Sequence, residues 1–84
     1  MRHYSPYSAD YRARQLAKRA LRHRTHRRKE DGLQLGFATH ILAKKGSLYL
    51  IDVERLNTHF SYRARFKVNL STGRVVETSS ATLA

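Results

Sequence analysis

Cysteine is absent from the 84 residues. Disulfide staples and thiolate zinc sites are therefore excluded. Hydrophobic runs extend for only a few residues, too short to span a membrane. The first residues are polar and aromatic and lack the apolar segment of a secretory leader. An intracellular protein, cellular or viral, is the expectation. Asn69-Leu70-Ser71 matches a glycosylation pattern, which without a leader reads as chance. No nucleotide-binding loop, paired-carboxylate motif or metal motif is present. Of the five histidines, the nearest pair is His23 and His26, among arginines that repel a cation. No metal and no cofactor are expected.

Acidic residues are also scarce, and that scarcity leads to what the chain has in excess. Six Asp and Glu face 17 Lys and Arg, giving a formal net charge of +11 and a pI near 11.0. Self-repulsion at this charge opposes compaction, so a polyanionic partner is the natural expectation. Nucleic acid ranks first for a chain so small and basic, ahead of an acidic protein surface or an anionic membrane. Hydrophobic residues make up 40%, enough for a folded domain. The length suits one domain with a thin core.

Four segments follow along residues 1–84. Residues 1–7, "MRHYSPY", form an extended arm, because Pro6 disfavours helix at Ser5. Residues 8–31 read as a basic helix over about 9–29, with Ser8 as N-cap, Asp10 in the first turn and Gly32 beyond the end. Residues 33–78 then switch from helical to alternating period. "LQLGFATHILA" puts Leu33, Leu35, Phe37, Thr39 and Ile41 on one face. Lys44-Lys45-Gly46-Ser47 is a turn. "SLYLIDVE" puts Tyr49, Ile51 and Val53 on one face and Leu48, Leu50, Asp52 and Glu54 on the other. "RLNTH" is a connection. In "FSYRARFKVNL", Phe60, Tyr62, Ala64, Phe66, Val68 and Leu70 oppose Ser61, Arg63, Arg65, Lys67 and Asn69. Ser71-Thr72-Gly73 is a hairpin turn, "RVVET" a short last strand, and residues 79–84 a fraying tail. The predicted fold is α+β: a long N-terminal helix packed on one face of a three- to four-stranded antiparallel meander.

On the helical wheel Ala9, Ala13, Leu16, Ala17, Ala20 and Leu21 form the stripe for the sheet. Arg24 and Arg27 continue that stripe. A buried, unpaired guanidinium is costly. The helix is therefore expected to overshoot the sheet, leaving residues 23–29 in solvent. Its cations are the expected nucleic-acid-binding set: Arg12, Arg14, Lys18, Arg19, Arg22, Arg24, Arg27, Arg28 and Lys29. A merely solubilising helix is the plain alternative. Against it stand the arginine content, suited to phosphate, and the lack of acidic partners, only Asp10 and Glu30 within residues 9–30.

Arg63, Arg65 and Lys67 alternate down the outer sheet face as a second basic surface, extended by Arg55, Arg74, Lys44 and Lys45. Asp52 and Glu54 are placed to pair across strands with some of these arginines. Tyr4 and Tyr11 are candidates for base stacking, while Tyr7 reads as a staple at the helix entry.

For catalysis, His40, His59, Tyr62, Arg63 and Arg65 would supply acid, base and phosphate stabilisers. In composition this set resembles the small ribonuclease toxins of the RelE type. The likeness includes no motif, and the chain lacks the strand that opens that fold before its helices. The sequence reading is a non-enzymatic nucleic-acid-binding protein that contacts the phosphate backbone, with RNA or a ribonucleoprotein slightly favoured over duplex DNA. The first alternative is a viral or phage-type module that docks on an acidic surface and inhibits a host nucleic-acid-processing or defence complex. The second is the ribonuclease.

Overall fold

The computed structural model describes residues 8–25, 34–58 and 61–83. One helix, α1 (Ala9–Thr25), packs on a four-stranded antiparallel sheet in the order β1-β2-β3-β4. The strands are β1 (Gln34–Lys45), β2 (Leu48–Asn57), β3 (Ser61–Asn69) and β4 (Arg74–Glu77). This is the α+β meander expected from the change of period.

Ser8 starts α1 as a cap. Its Oγ accepts from the Tyr11 amide at 3.2 Å, and its carbonyl accepts from the Arg12 amide at 3.0 Å. Ala13, Ala17 and Leu21 are fully buried against Tyr49, Ile51, Val53, Phe66 and Val68 of the inner sheet face. Two alanines on the contact line let the helix axis approach the sheet closely. Leu16 and Phe37, expected in the core, are half-buried at its border, while Leu21, Ile51, Phe66 and Val68 are buried as expected. Phe60, Leu33 and the Leu35 side chain lie outside the described residues.

The deep line of α1 runs 13, 17, 21, 25. An i+4 step falls 40° past a full turn, so the line drifts, and its next member is Thr25, not Arg24. Thr25 is 5% exposed. Its hydroxyl donates to the Leu21 carbonyl at 2.8 Å and accepts from Arg55 Nη1 at 2.6 Å. The expectation that burial stops near Leu21 and the helix then overshoots the sheet is therefore corrected as far as Thr25. The expected continuation to Lys29 lies outside the described residues.

Three local features depart from simple alternation. β1 and β2 pair with register shifts at Gln34/Gly36 and Ile41/Ala43. The second shift is a bulge that leaves Leu42 exposed and pairs Lys44 with Tyr49, on the helix side. β2 continues through Arg55, Leu56 and Asn57, where a connection was expected, because these residues pair with Phe37, Gly36 and Gln34. The tail does not fray at its start. The Thr78 amide donates to the Arg65 carbonyl at 2.9 Å, and Arg65 Nη1 donates to the Ser80 carbonyl at 2.9 Å, so residues 78–80 lie along the outer side of β3. Gly46 (φ 60°) and Gly73 (φ 76°) supply the left-handed residues of the β1–β2 and β3–β4 turns.

Candidate nucleic-acid interface

The basic residues of α1 divide into those that hold the fold and those that face outward. Arg14 Nη1 donates to the Thr39 hydroxyl at 2.7 Å and carbonyl at 3.1 Å, tying the helix to β1. Arg24 reaches Glu77 of β4 at 3.4 Å, across a pair about half exposed on both sides. Arg22 is exposed, with its guanidinium 5.3 Å from the centre of the Phe37 ring, and Arg55 approaches the same ring at 5.7 Å. Arg19 stands on the side of α1 opposite the buried line, Arg12 is exposed beside Gly46, Ser47, Leu70 and Ser71 at the end of the sheet, and Lys18 and Arg22 lie on the flank toward β1. The side chains of Arg12, Lys18 and Arg19 make no ion pair or hydrogen bond among the described residues. Arg12 to Arg22 span about 15 Å of the helix. Arg27, Arg28, Lys29 and Tyr4 lie outside the described residues. Tyr11 is half-buried on the β1 side of the helix.

The N-terminal turn of α1 is fixed by charge. Asp10 Oδ1 accepts from Lys44 Nζ and from the Tyr49 hydroxyl, each at 2.8 Å. These two hydrogen bonds hold the Asp10 carboxyl below its usual range. Burial, then the bond to Asp10, pushes the Tyr49 phenol up. Lys44, expected with the outer-face cations, is thus used on the helix side. Arg55, expected there too, lies on the inner face at Thr25.

The outer face carries acids among its cations. Asp52 stands opposite Arg65 in the β2–β3 register, and Glu54 opposite Arg63. Arg65 grips Asp52 with Nε at 2.6 Å and Nη2 at 3.2 Å, and that carboxylate raises the guanidinium's pKa. This is the cross-strand pairing foreseen from the alternation. Arg63 and Glu54, although opposite, form no ion pair or hydrogen bond. Lys67 is half-buried opposite Leu50, which is fully buried. Ala38, His40, Asp52, Glu54, Arg63, Arg65 and Ser79 line an open groove of about 480 Å³. Glu54 and His40 were not among the expected binding residues. Their signal lay in the register, which puts His40 opposite Asp52 and Ala38 opposite Glu54.

The proposed catalytic set does not assemble as a unit. His40, Arg63 and Arg65 share the outer groove. Tyr62 alternates to the other side, with Arg55 as its register partner. His59 lies outside the described residues. Among the described residues no three His, Asp or Glu side chains gather as metal ligands, and no helix is long and apolar enough to cross a membrane.

Together these features define a small α+β domain with a cationic helix on one side and a mixed-charge groove on the other. No protein-family model, no curated protein and no solved structure matches the chain.

Proposed function

We propose that the chain is a non-enzymatic nucleic-acid-binding protein that contacts the phosphate backbone through the cations of α1. The observation that carries this reading is the set of α1 cations Arg12, Lys18 and Arg19, whose charges no acidic residue answers among the described residues. Arg22 extends it. Duplex DNA presents one negative charge per ~1.7 Å of axis, so cations spread over about 15 Å of helix can meet several phosphates at once. The outer sheet face contributes less field, because Asp52 and Glu54 stand among its arginines. Contacts of this kind follow shape and charge, and an RNA or ribonucleoprotein target is favoured over duplex DNA.

The test is a combined Arg12, Lys18 and Arg19→Gln variant. These side chains hold no partner among the described residues, so stability should change by no more than about 0.5 kcal/mol per site. Binding to RNA and DNA should weaken. The slope of log affinity against log salt should flatten by about 0.9 per lost contact on duplex DNA, or 0.7 on a single strand. A folded variant with unchanged affinity and slope would sink the reading. A wild-type chain without any salt-dependent binding would favour docking on an acidic protein surface.

A further inference from the structure

The groove on the outer sheet face contains an opposite-charge pair that is adjacent but unclosed. Two rows of side chains cross β1, β2 and β3 there. One row is His40, Asp52, Arg65; the next is Ala38, Glu54, Arg63. In the first row Asp52 and Arg65 close on each other at 2.6 and 3.2 Å, and Arg65 also donates to the Ser80 carbonyl. Those groups spend their hydrogen bonds inside the protein. In the second row Glu54 and Arg63 have no partner, in each other or elsewhere among the described residues. Ala38, with only a methyl group, leaves space beside Glu54, and Ser79 of the tail borders the concavity. Its volume of about 480 Å³ is within the ~300–1,000 Å³ common for small-molecule sites.

An ionised carboxylate only accepts hydrogen bonds, and a guanidinium only donates them. Side by side they complement an edge on which adjacent donors lie next to adjacent acceptors. Among the bases guanine has that edge: N1–H and N2–H₂ as donors, then O6 and N7 as acceptors. Adenine and cytosine each set one amino group beside a bare ring nitrogen that repels a carboxylate. Uracil offers a single N–H between two carbonyls. Arginine bidentate to O6 and N7 is the commonest specific contact to guanine. Unpaired bases of a single strand expose both edges for such contacts.

We infer that the outer groove binds one unpaired guanine, with Glu54 accepting from N1–H and N2–H₂ and Arg63 donating to O6 and N7. The Asp52–Arg65 pair, closed on itself, leaves the Glu54–Arg63 row to take the base. The groove reads the base, while the cations of α1 hold backbone. The part of this inference that concerns a polymer rests on the nucleic-acid-binding reading; recognition of the base itself does not.

Two measurements test it separately. In the first, the ¹⁵N-labelled chain is titrated with guanosine monophosphate and, in parallel, adenosine monophosphate. Guanosine monophosphate should shift the amides of residues 38–40, 52–54 and 63–65, and adenosine monophosphate should leave most of them in place. The absence of guanosine-specific shifts in those strands overturns the site, whatever the chain does with polymers. In the second, single-stranded eight-nucleotide RNAs of adenosine with a central guanosine, inosine or adenosine are compared, with the guanosine and adenosine oligomers repeated as DNA. The guanosine oligomer should bind about tenfold tighter than the adenosine one, and inosine, which lacks the N2 amine, should fall between. The Glu54→Gln variant should lose the discrimination while keeping the salt slope. The helix variant should weaken all oligomers alike. Equal affinity for guanosine and adenosine oligomers, or discrimination that survives Glu54→Gln in a folded variant, overturns the assignment. Loss of all oligomer binding with intact guanosine monophosphate shifts refutes the helix reading and leaves the base site standing.

Discussion

Asp10 ties three elements together with one carboxylate oxygen, accepting from Lys44 at the end of β1 and from Tyr49 in β2. Its depressed carboxyl stabilises the folded chain at pH above the ordinary value of 3.8, and that contribution is lost as pH falls through the lowered pKa. Tyr49 acts at the other limit. Its raised phenol contributes stability below pH 10.0 that disappears as pH rises beyond it. Asp10→Asn should therefore lower the melting temperature near neutrality and flatten its fall between about pH 5 and 3. Thermal melts by circular dichroism across that range check this; an unchanged acid limb would remove Asp10 from the account. Phe66 is 3% exposed in the centre of the inner face. Phe66→Ala should cost about 3–5 kcal/mol in denaturant unfolding, through lost burial and the cavity left behind.

α1 is an element with two jobs, and the boundary between them is a matter of helical drift. Ala13, Ala17, Leu21 and Thr25 face the sheet, while Arg19 faces away. Thr25 closes the line with a hydroxyl that caps the Leu21 carbonyl and receives Arg55. Thr25→Val keeps the shape but removes the hydroxyl that receives the half-buried Arg55 guanidinium, at a cost of about 1 kcal/mol. Urea titration of the variant measures this, and a neutral result would mean that Arg55 holds its place without Thr25. In β1 the bulge after Ile41 has a comparable role. It rotates the strand's last residues, so that Lys44 meets Asp10 and leaves the outer face.

For the whole molecule, the net charge of +11 is unevenly placed. Asp10, Asp52 and Glu77 each pair with a neighbouring cation, whereas Arg12, Lys18 and Arg19 of α1 have no acidic partner among the described residues. A non-enzymatic binder should leave RNA and DNA intact on prolonged incubation, with or without divalent cations. Cleavage that disappears in His40→Ala would overturn that proposal and restore the ribonuclease alternative, since His40, Arg63 and Arg65 share one groove.

Much of the architecture was written locally in the chain. Helical period in residues 9–21 and strict alternation in residues 61–70 gave the helix, the meander and the buried faces, because a side chain's direction follows from its own backbone. The excess of arginine and lysine, and hence an anionic partner as the expectation, is likewise a property of composition. What local period could not carry was decided by contacts between distant residues. The bulge turned Lys44 inward, the extension of β2 carried Arg55 to Thr25, and the tail settled along β3. Helical drift replaced Arg24 with Thr25 beneath the helix end. The open Glu54–Arg63 row beside the closed Asp52–Arg65 row exists only through strand register. Register sets which charges meet and which are left over, and it is fixed by long-range packing that no window of sequence contains.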